Sequence, residues 1–146
     1  MTIRQLSVFI DDEAGSLVRV LDVLKKGGHQ IITSTLTDSP EFAIYRVLCT
    51  EPEQAYKSLL EAGFNVMMPN VFALVVDDAP GMAAQAIGIL SEAGISVRYL
   101  YSFLLGGKGI LVLRVHETER AQEIITKNKL KEASESDIQA LMEKAL

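Results

Sequence analysis

The chain has 146 residues, 49% hydrophobic and 23% charged, with a net charge of −5, a composition rich enough in core-forming side chains to exclude an intrinsically disordered segment. Gripping a phosphate backbone needs clustered Lys and Arg, whereas the 14 basic residues here are scattered among 19 acidic ones, so no nucleic-acid partner is expected. No run reaches the roughly 18 consecutive apolar residues of a membrane helix, and the opening MTIRQLSVFIDDE lacks the unbroken apolar stretch of a signal peptide; the expectation is a cytoplasmic protein with no membrane partner.

In chain order, Ile3 to Ile10 predicts a strand and Ser16 to Lys26 a helix stopped by Gly27-Gly28. Gln30 to Leu36 predicts a second strand. Asp38-Ser39-Pro40 is turn chemistry leading into a third, Phe42 to Cys49. Thr50-Glu51-Pro52-Glu53 has the spacing of a capping box with proline in the first turn, so a second helix should run to about Ala62, followed by a fourth strand from Phe64 to Met68. After a linker of little more than Pro69-Asn70 the order starts again: strand Val71 to Val76, helix Met82 to Ala93, strands Ser96 to Leu104 and Ile110 to Val115, helix Glu119 to Thr126, and strand Leu130 to Ala133. A last helix, Asp137 to Ala145, is capped by Ser136 and striped at Ile138, Leu141, Met142 and Ala145; the first half has no counterpart. The lone cysteine, Cys49, falls inside a strand and is expected to be a buried, inert thiol.

A shift of 66 residues lays the segment from Asp11 over the segment from Asp77 without a gap. Asp11, Asp12, Gly15, Leu24 and Gly28 meet Asp77, Asp78, Gly81, Leu90 and Gly94, while Leu17, Val20 and Leu21 meet Ala83, Ala86 and Ile87. The apolar positions follow i, i+3, i+4, i+7, one face of one helix present twice. The chain is therefore expected to be α+β, two βαββαβ units in tandem (residues 1–69 and 70–146), each an antiparallel sheet with its helices on one face. VFALVV, Val71 to Val76, is apolar throughout, so the other sheet face must also be covered. The two units can join their sheets edge to edge or face to face, and a homodimer is expected to bury what remains.

Asp77-Asp78-Ala79-Pro80-Gly81-Met82, a strand end turning into a helix, followed by Ala93-Gly94-Ile95-Ser96-Val97 entering the next strand, resembles the ACT domain, and the likeness covers the chain twice apart from the last helix. The resemblance implies ferredoxin-like units that sense a small amino acid, held between paired domains by the strand-to-helix loop of one and the opening of the second strand of its neighbour. It implies loop residues Asp12, Ala14, Gly15, Ser16 and Leu17 in the first copy and Asp78, Pro80, Gly81 and Met82 in the second. The strand residues it implies are Gln30 and Ile31, and Ser96, Val97 and Arg98. Two departures leave the amino acid open: Ala14 stands where the family often has proline, and both copies have Asp where an amide is common in serine-binding members. The residues agree independently. A helix N-terminus offers free N–H groups and partial positive charge to a carboxylate, glycine lets a ligand approach the backbone, and Asp12 or Asp78 can hold the ammonium.

Other features are set aside. His29 and His116 occupy non-equivalent positions with no metal-ligand spacing and are expected as surface or turn residues, so no metal or cofactor is called for. Strand alternation places Arg98 beside Ser96 on one face, with Val97, Tyr99, Tyr101 and Phe103 on the other as core or interface. Gly106-Gly107-Lys108-Gly109 joins two strands and lacks the Walker spacing, so it is a hairpin tip. The same fold hosts acylphosphatases, metal chaperones and RNA-binding domains, whose signatures are missing here. Three readings follow: a non-catalytic amino-acid sensor, favoured by the duplicated loops; a structural or regulatory subunit docking on an enzyme of amino-acid metabolism without a ligand of its own, favoured by the extra helix; and, last, an independent enzyme, for which no nucleophile and base are seen together.

Overall fold

The computed structural model describes residues 1–11 and 13–145, and no side chain at 145. It contains two compact units, one of Arg4–Pro69 and one of Met1–Ile3 with Asn70–Leu146. The predicted first strand is split at Gln5 into β1 (Ile3–Arg4) and β2 (Leu6–Ile10). Gln5 is fully buried, and its Nε2 donates to Ser7 Oγ at 2.9 Å.

The first unit continues with α1 (Ser16–Lys26), β3 (Ile31–Asp38), β4 (Ala43–Cys49), α2 (Pro52–Glu61) and β5 (Asn65–Met67). Its sheet order is β3-β4-β2-β5, antiparallel throughout. Alternation sends Leu6, Val8 and Ile10 of β2 and Tyr45, Val47 and Cys49 of β4 to one face, where they pack with Val20 and Leu24 of α1 and Ala55 and Leu59 of α2. Cys49 is a free, buried thiol, as expected. Gly28, at φ +72°, ends α1 in the left-handed cap.

Two expectations fail in this unit. The Thr50–Glu53 capping box does not form: the N-cap of α2 is Glu51 at φ +49°, with no side-chain cap. Thr50 instead prolongs the sheet ladder, its N–H donating to the Gln30 carbonyl at 3.0 Å and its Oγ1 accepting the Gln30 N–H at 2.9 Å, while Glu53 pairs with Arg4 at 3.4 Å. His29 is not a surface residue but buried, its Nδ1 2.9 Å from the Thr50 carbonyl. A carbonyl only accepts, so Nδ1 carries the hydrogen. Gly27 makes room for that ring, since a Cβ there would lie 2.6 Å from His29 Cδ2.

The second unit repeats the order with β6 (Asn70–Asp77), α3 (Met82–Glu92), β7 (Val97–Leu105), β8 (Lys108–Val115) and α4 (Thr118–Lys127), then adds α5 (Glu135–Ala145). Phe72 and Leu74 of β6 and Leu111, Leu113 and Val115 of β8 build its core with Ala86, Leu90, Ala121 and Ile125 of the two helices. The sheet order is β1-β6-β8-β7. The strand expected over Leu130 to Ala133 is reduced to one bridge, Leu74 to Glu132, flanked by Val75 N–H to the Lys131 carbonyl at 2.8 Å and Ala133 N–H to the Ala73 carbonyl at 2.9 Å. With β8 on one edge of β6, this segment shares the other edge with β1. Two ferredoxin-like βαββαβ units with antiparallel sheets, helices on one face and an added C-terminal helix are thus what the chain forms.

The cap of α5 is Ser134, not Ser136. Ser134 Oγ accepts the Asp137 N–H at 3.0 Å, and Asp137 Oδ2 accepts the Ser134 N–H at 2.8 Å, a reciprocal box two residues earlier than the expected cap. Ile138 is buried, Leu141 and Met142 are half-buried, and the Ala145 side chain lies outside the described residues. Val75 points away from α3 and α4, yet it lines a cavity with Ala140 and Leu141; α5 therefore lies over part of the second sheet face.

Candidate functional site

Each first strand of a repeat ends in a short loop whose last residue is a glycine N-cap. Gly15 caps α1 at φ +95° and Gly81 caps α3 at φ +86°, and neither helix has a side-chain cap. This left-handed conformation is open to glycine and costly for other residues, which explains why glycine recurs at both positions. The first intrahelical bonds run from Arg19 N–H to the Gly15 carbonyl and from Gln85 N–H to the Gly81 carbonyl. Leu17 and Val18, and Ala83 and Ala84, therefore present amides with no intrahelical acceptor, at the positive end of the helix dipole. A Cβ built on either glycine meets nothing within 4 Å, so the space before both loops is open.

Ala14, Gly15, Asp78, Pro80 and Gly81 are exposed, while Leu17 and Met82 are half-buried. Asp12 lies outside the described residues. Ser16 is buried, and its Oγ accepts a hydrogen bond from Arg19 Nη2 at 3.3 Å. The neighbouring Asp77 is engaged by Lys108, Nζ to Oδ1 2.6 Å, and this hydrogen bond and charge hold its carboxyl below the usual carboxylate range. Lys108 reaches it because the Gly106-Gly107 turn, at φ +59° and +76°, is a two-residue hairpin that sets Lys108 opposite Asp77.

The strand residues lie elsewhere. Ile10 and Asp38 both stand level with Ala43, whereas Ile31 pairs with Cys49. The loop after β2 is thus at the hairpin end of its sheet, and Gln30 and Ile31 are at the opposite end, roughly 20 Å away along an eight-residue strand. Ser96, Val97 and Arg98 are displaced from Gly81 in the same way, since Val97 pairs with Val115 and Asp77 with Lys108. Neither unit brings its own loop and its own second strand together.

A β-bulge revises one alternation. The register shifts between Val97 and Tyr99, which face Val115 and Arg114, and at the same place in the first copy between Ile31 and Thr33. Arg98 is the extra residue, so Val97 turns into the core of the helix side while Tyr99, Tyr101 and Phe103 occupy the opposite face. Val97 and the aromatic row do not share a face. Tyr99 and Tyr101 stack with centroids 6.5 Å apart. Arg98 and Ser96 are exposed.

One feature of the site region escaped the sequence reading. A cavity of about 490 Å³ lies beside α1 in the first unit, and one of about 390 Å³ beside α3 in the second. Every residue lining the first has its counterpart 66 residues later lining the second. Ser16, Arg19 and Val23, at i, i+3 and i+7, form one wall; this spacing was readable, but the opposing wall, Ala62 to Asn65, comes from the turn after α2 and is not local in sequence.

The fold is that of a duplicated, ferredoxin-like protein. The chain matches the ACT domain pair family over residues 1–142 and belongs to it; it is a non-catalytic ACT-domain regulatory module. Among the described residues no group of three His, Cys, Asp or Glu is placed to hold a metal ion, and no helix is long and apolar enough to cross a membrane. A protein of Bacteroides thetaiotaomicron, BT0572, superposes with a TM-score of 0.89 at 28% identity, over 94% of this chain and 96% of that one. The regulatory subunit of aspartate kinase from Thermus thermophilus, in its ligand-free form, superposes at 0.60 and 14% identity, over 85% and 91% of the two chains. Its counterpart from Thermus flavus gives 0.58 and 14%, over 84% and 88%. At that identity the two subunits share the fold. No curated protein sequence matches significantly.

Proposed function

We propose that the chain senses a small amino acid, gripped by the strand-to-helix loop of one ACT unit and the opening of the second strand of a neighbouring one. The observation that carries this reading is the pair of glycine N-caps, both left-handed, both without a side-chain cap and both facing open space. Backbone amides there suit the ligand carboxylate, and Asp78, exposed on the loop, suits its ammonium. Asp12 has the matching place in the first copy by sequence. Because loop and strand opening lie at opposite ends of each sheet, a ligand touching both requires two units, from one chain or from two copies of it, and a homodimer buries the sheet surface that the two units leave uncovered.

A crystal soaked with mixed amino acids tests the reading: zwitterion density is expected beside Gly15 or Gly81, and its absence at millimolar ligand contradicts it. A second reading, docking on an enzyme of amino-acid metabolism without a ligand, draws support from α5, which the first copy lacks, and from the fold shared with the aspartate kinase regulatory subunits. Co-purification of a catalytic partner whose rate ignores every amino acid would favour it.

A further inference from the structure

The twin cavities share a backbone frame and differ in what lines it. Beside α1 the wall carries Arg19 and Ser16, where the second unit has Gln85 and Met82; the facing turn ends in Asn65, where the second has Lys131. Phe64 stands where the second unit has Leu130, and Asp11, after the end of β2, where it has Asp77. The frame is a property of the fold, because β5 is only three residues long and begins level with Phe9, leaving the end of β2 unflanked. Of the two, only the first combines a guanidinium, a buried hydroxyl and an amide with an aromatic residue, Phe64.

Arg19 donates to the buried Ser16 Oγ, and among the described residues no carboxylate lies within ion-pair distance of it. A guanidinium held by one hydroxyl keeps its other N–H donors for a planar acceptor, and a carboxylate matches that fork. The volume of about 490 Å³ is within the usual range of small-ligand pockets. We infer that this cavity is a second binding site, separate from the loop amides, for a small monocarboxylate with an apolar or aromatic tail. The carboxylate sits on Arg19, with Asn65 as an added donor, and the tail lies against Phe64 and Val23. The second unit's cavity, with Gln85 for Arg19, does not take it.

The test is isothermal titration of the full chain with phenylacetate, which has no ammonium group for an acidic loop residue to hold; because the loop amides also suit a carboxylate, the Arg19 variant is what separates this cavity from the amino-acid site. One phenylacetate per chain is expected, at least tenfold weaker in Arg19→Gln, which installs the second unit's own residue, and unchanged in Gln85→Ala. Phenethylamine, which lacks the carboxylate, should not bind. Absence of phenylacetate binding at 10-fold molar excess and millimolar concentration, or equal affinity in Arg19→Gln, overturns the inference. Arg19 is exposed on its helix, so the variant is expected to fold, and an unchanged far-ultraviolet spectrum checks it. Loss of phenylacetate binding alone leaves the amino-acid reading standing, and failure of every amino acid to bind leaves this site standing.

Discussion

Gly63 and Lys129 occupy the same turn, 66 residues apart, just after the second helix of each repeat, and both take positive φ, +90° and +54°. Glycine does so freely; lysine, with its Cβ, pays a conformational cost of about 1 kcal/mol. Lys129→Gly is accordingly expected to raise stability by up to about 1 kcal/mol, and Gly63→Ala to lower it by about the same, both read by chemical denaturation of the full chain. Equal destabilisation by both would contradict the strain argument. At this scale the sequence showed the capping glycines, because a left-handed cap is a local demand. It did not show that Asp77 is engaged by Lys108, since that pairing follows from strand register, nor that the ring of His29 is held by the Thr50 carbonyl.

Helices were legible where one apolar stripe dominated: α1 begins and ends where its periodicity predicts, and α3 stops one residue short. Caps were harder, because several hydroxyls compete and tertiary structure chooses among them; Thr50 was claimed by the β3–β4 ladder, and Ser134 displaced Ser136. The cap of α5 makes that helix sensitive to acid. The Ser134 backbone N–H, and secondarily its hydroxyl, hold the Asp137 carboxyl below its ordinary value of 3.8. A carboxyl lowered in the folded state contributes stability that is present above its unfolded pKa and is lost as pH falls through the folded one. Below about pH 4 α5 should therefore loosen, seen as faster amide exchange over residues 135–145, and Asp137→Asn should show that faster exchange already at neutral pH. Ser134→Ala should cost about 1 kcal/mol by loss of the cap. Acid-independent exchange in α5 would remove this role for the box.

For the molecule as a whole, duplication was the most legible property, because identical residues fell at turns and core positions under a single shift. Its physical consequences reached further than the matched letters: the repeat reproduces a bulge at Ile32 and Arg98 and a cavity beside each first helix, neither of which has a local signature. The loops of the candidate site were visible because strand, glycine and helix are contiguous. How they are completed was not, because a single unit holds its loop and its second strand at opposite ends. The central claim is that these loops grip a zwitterion, and a thermal-shift titration of the full chain against the twenty amino acids tests it most directly. Binding to the folded state adds about 2.7 kcal/mol at a hundredfold excess over Kd, so one small amino acid should raise Tm saturably by several degrees. The shift should vanish in Gly15→Val/Gly81→Val and weaken in Asp78→Asn, which leaves the backbone untouched. No shift with any amino acid at millimolar concentration, or an undiminished shift in a folded loop variant, would contradict it.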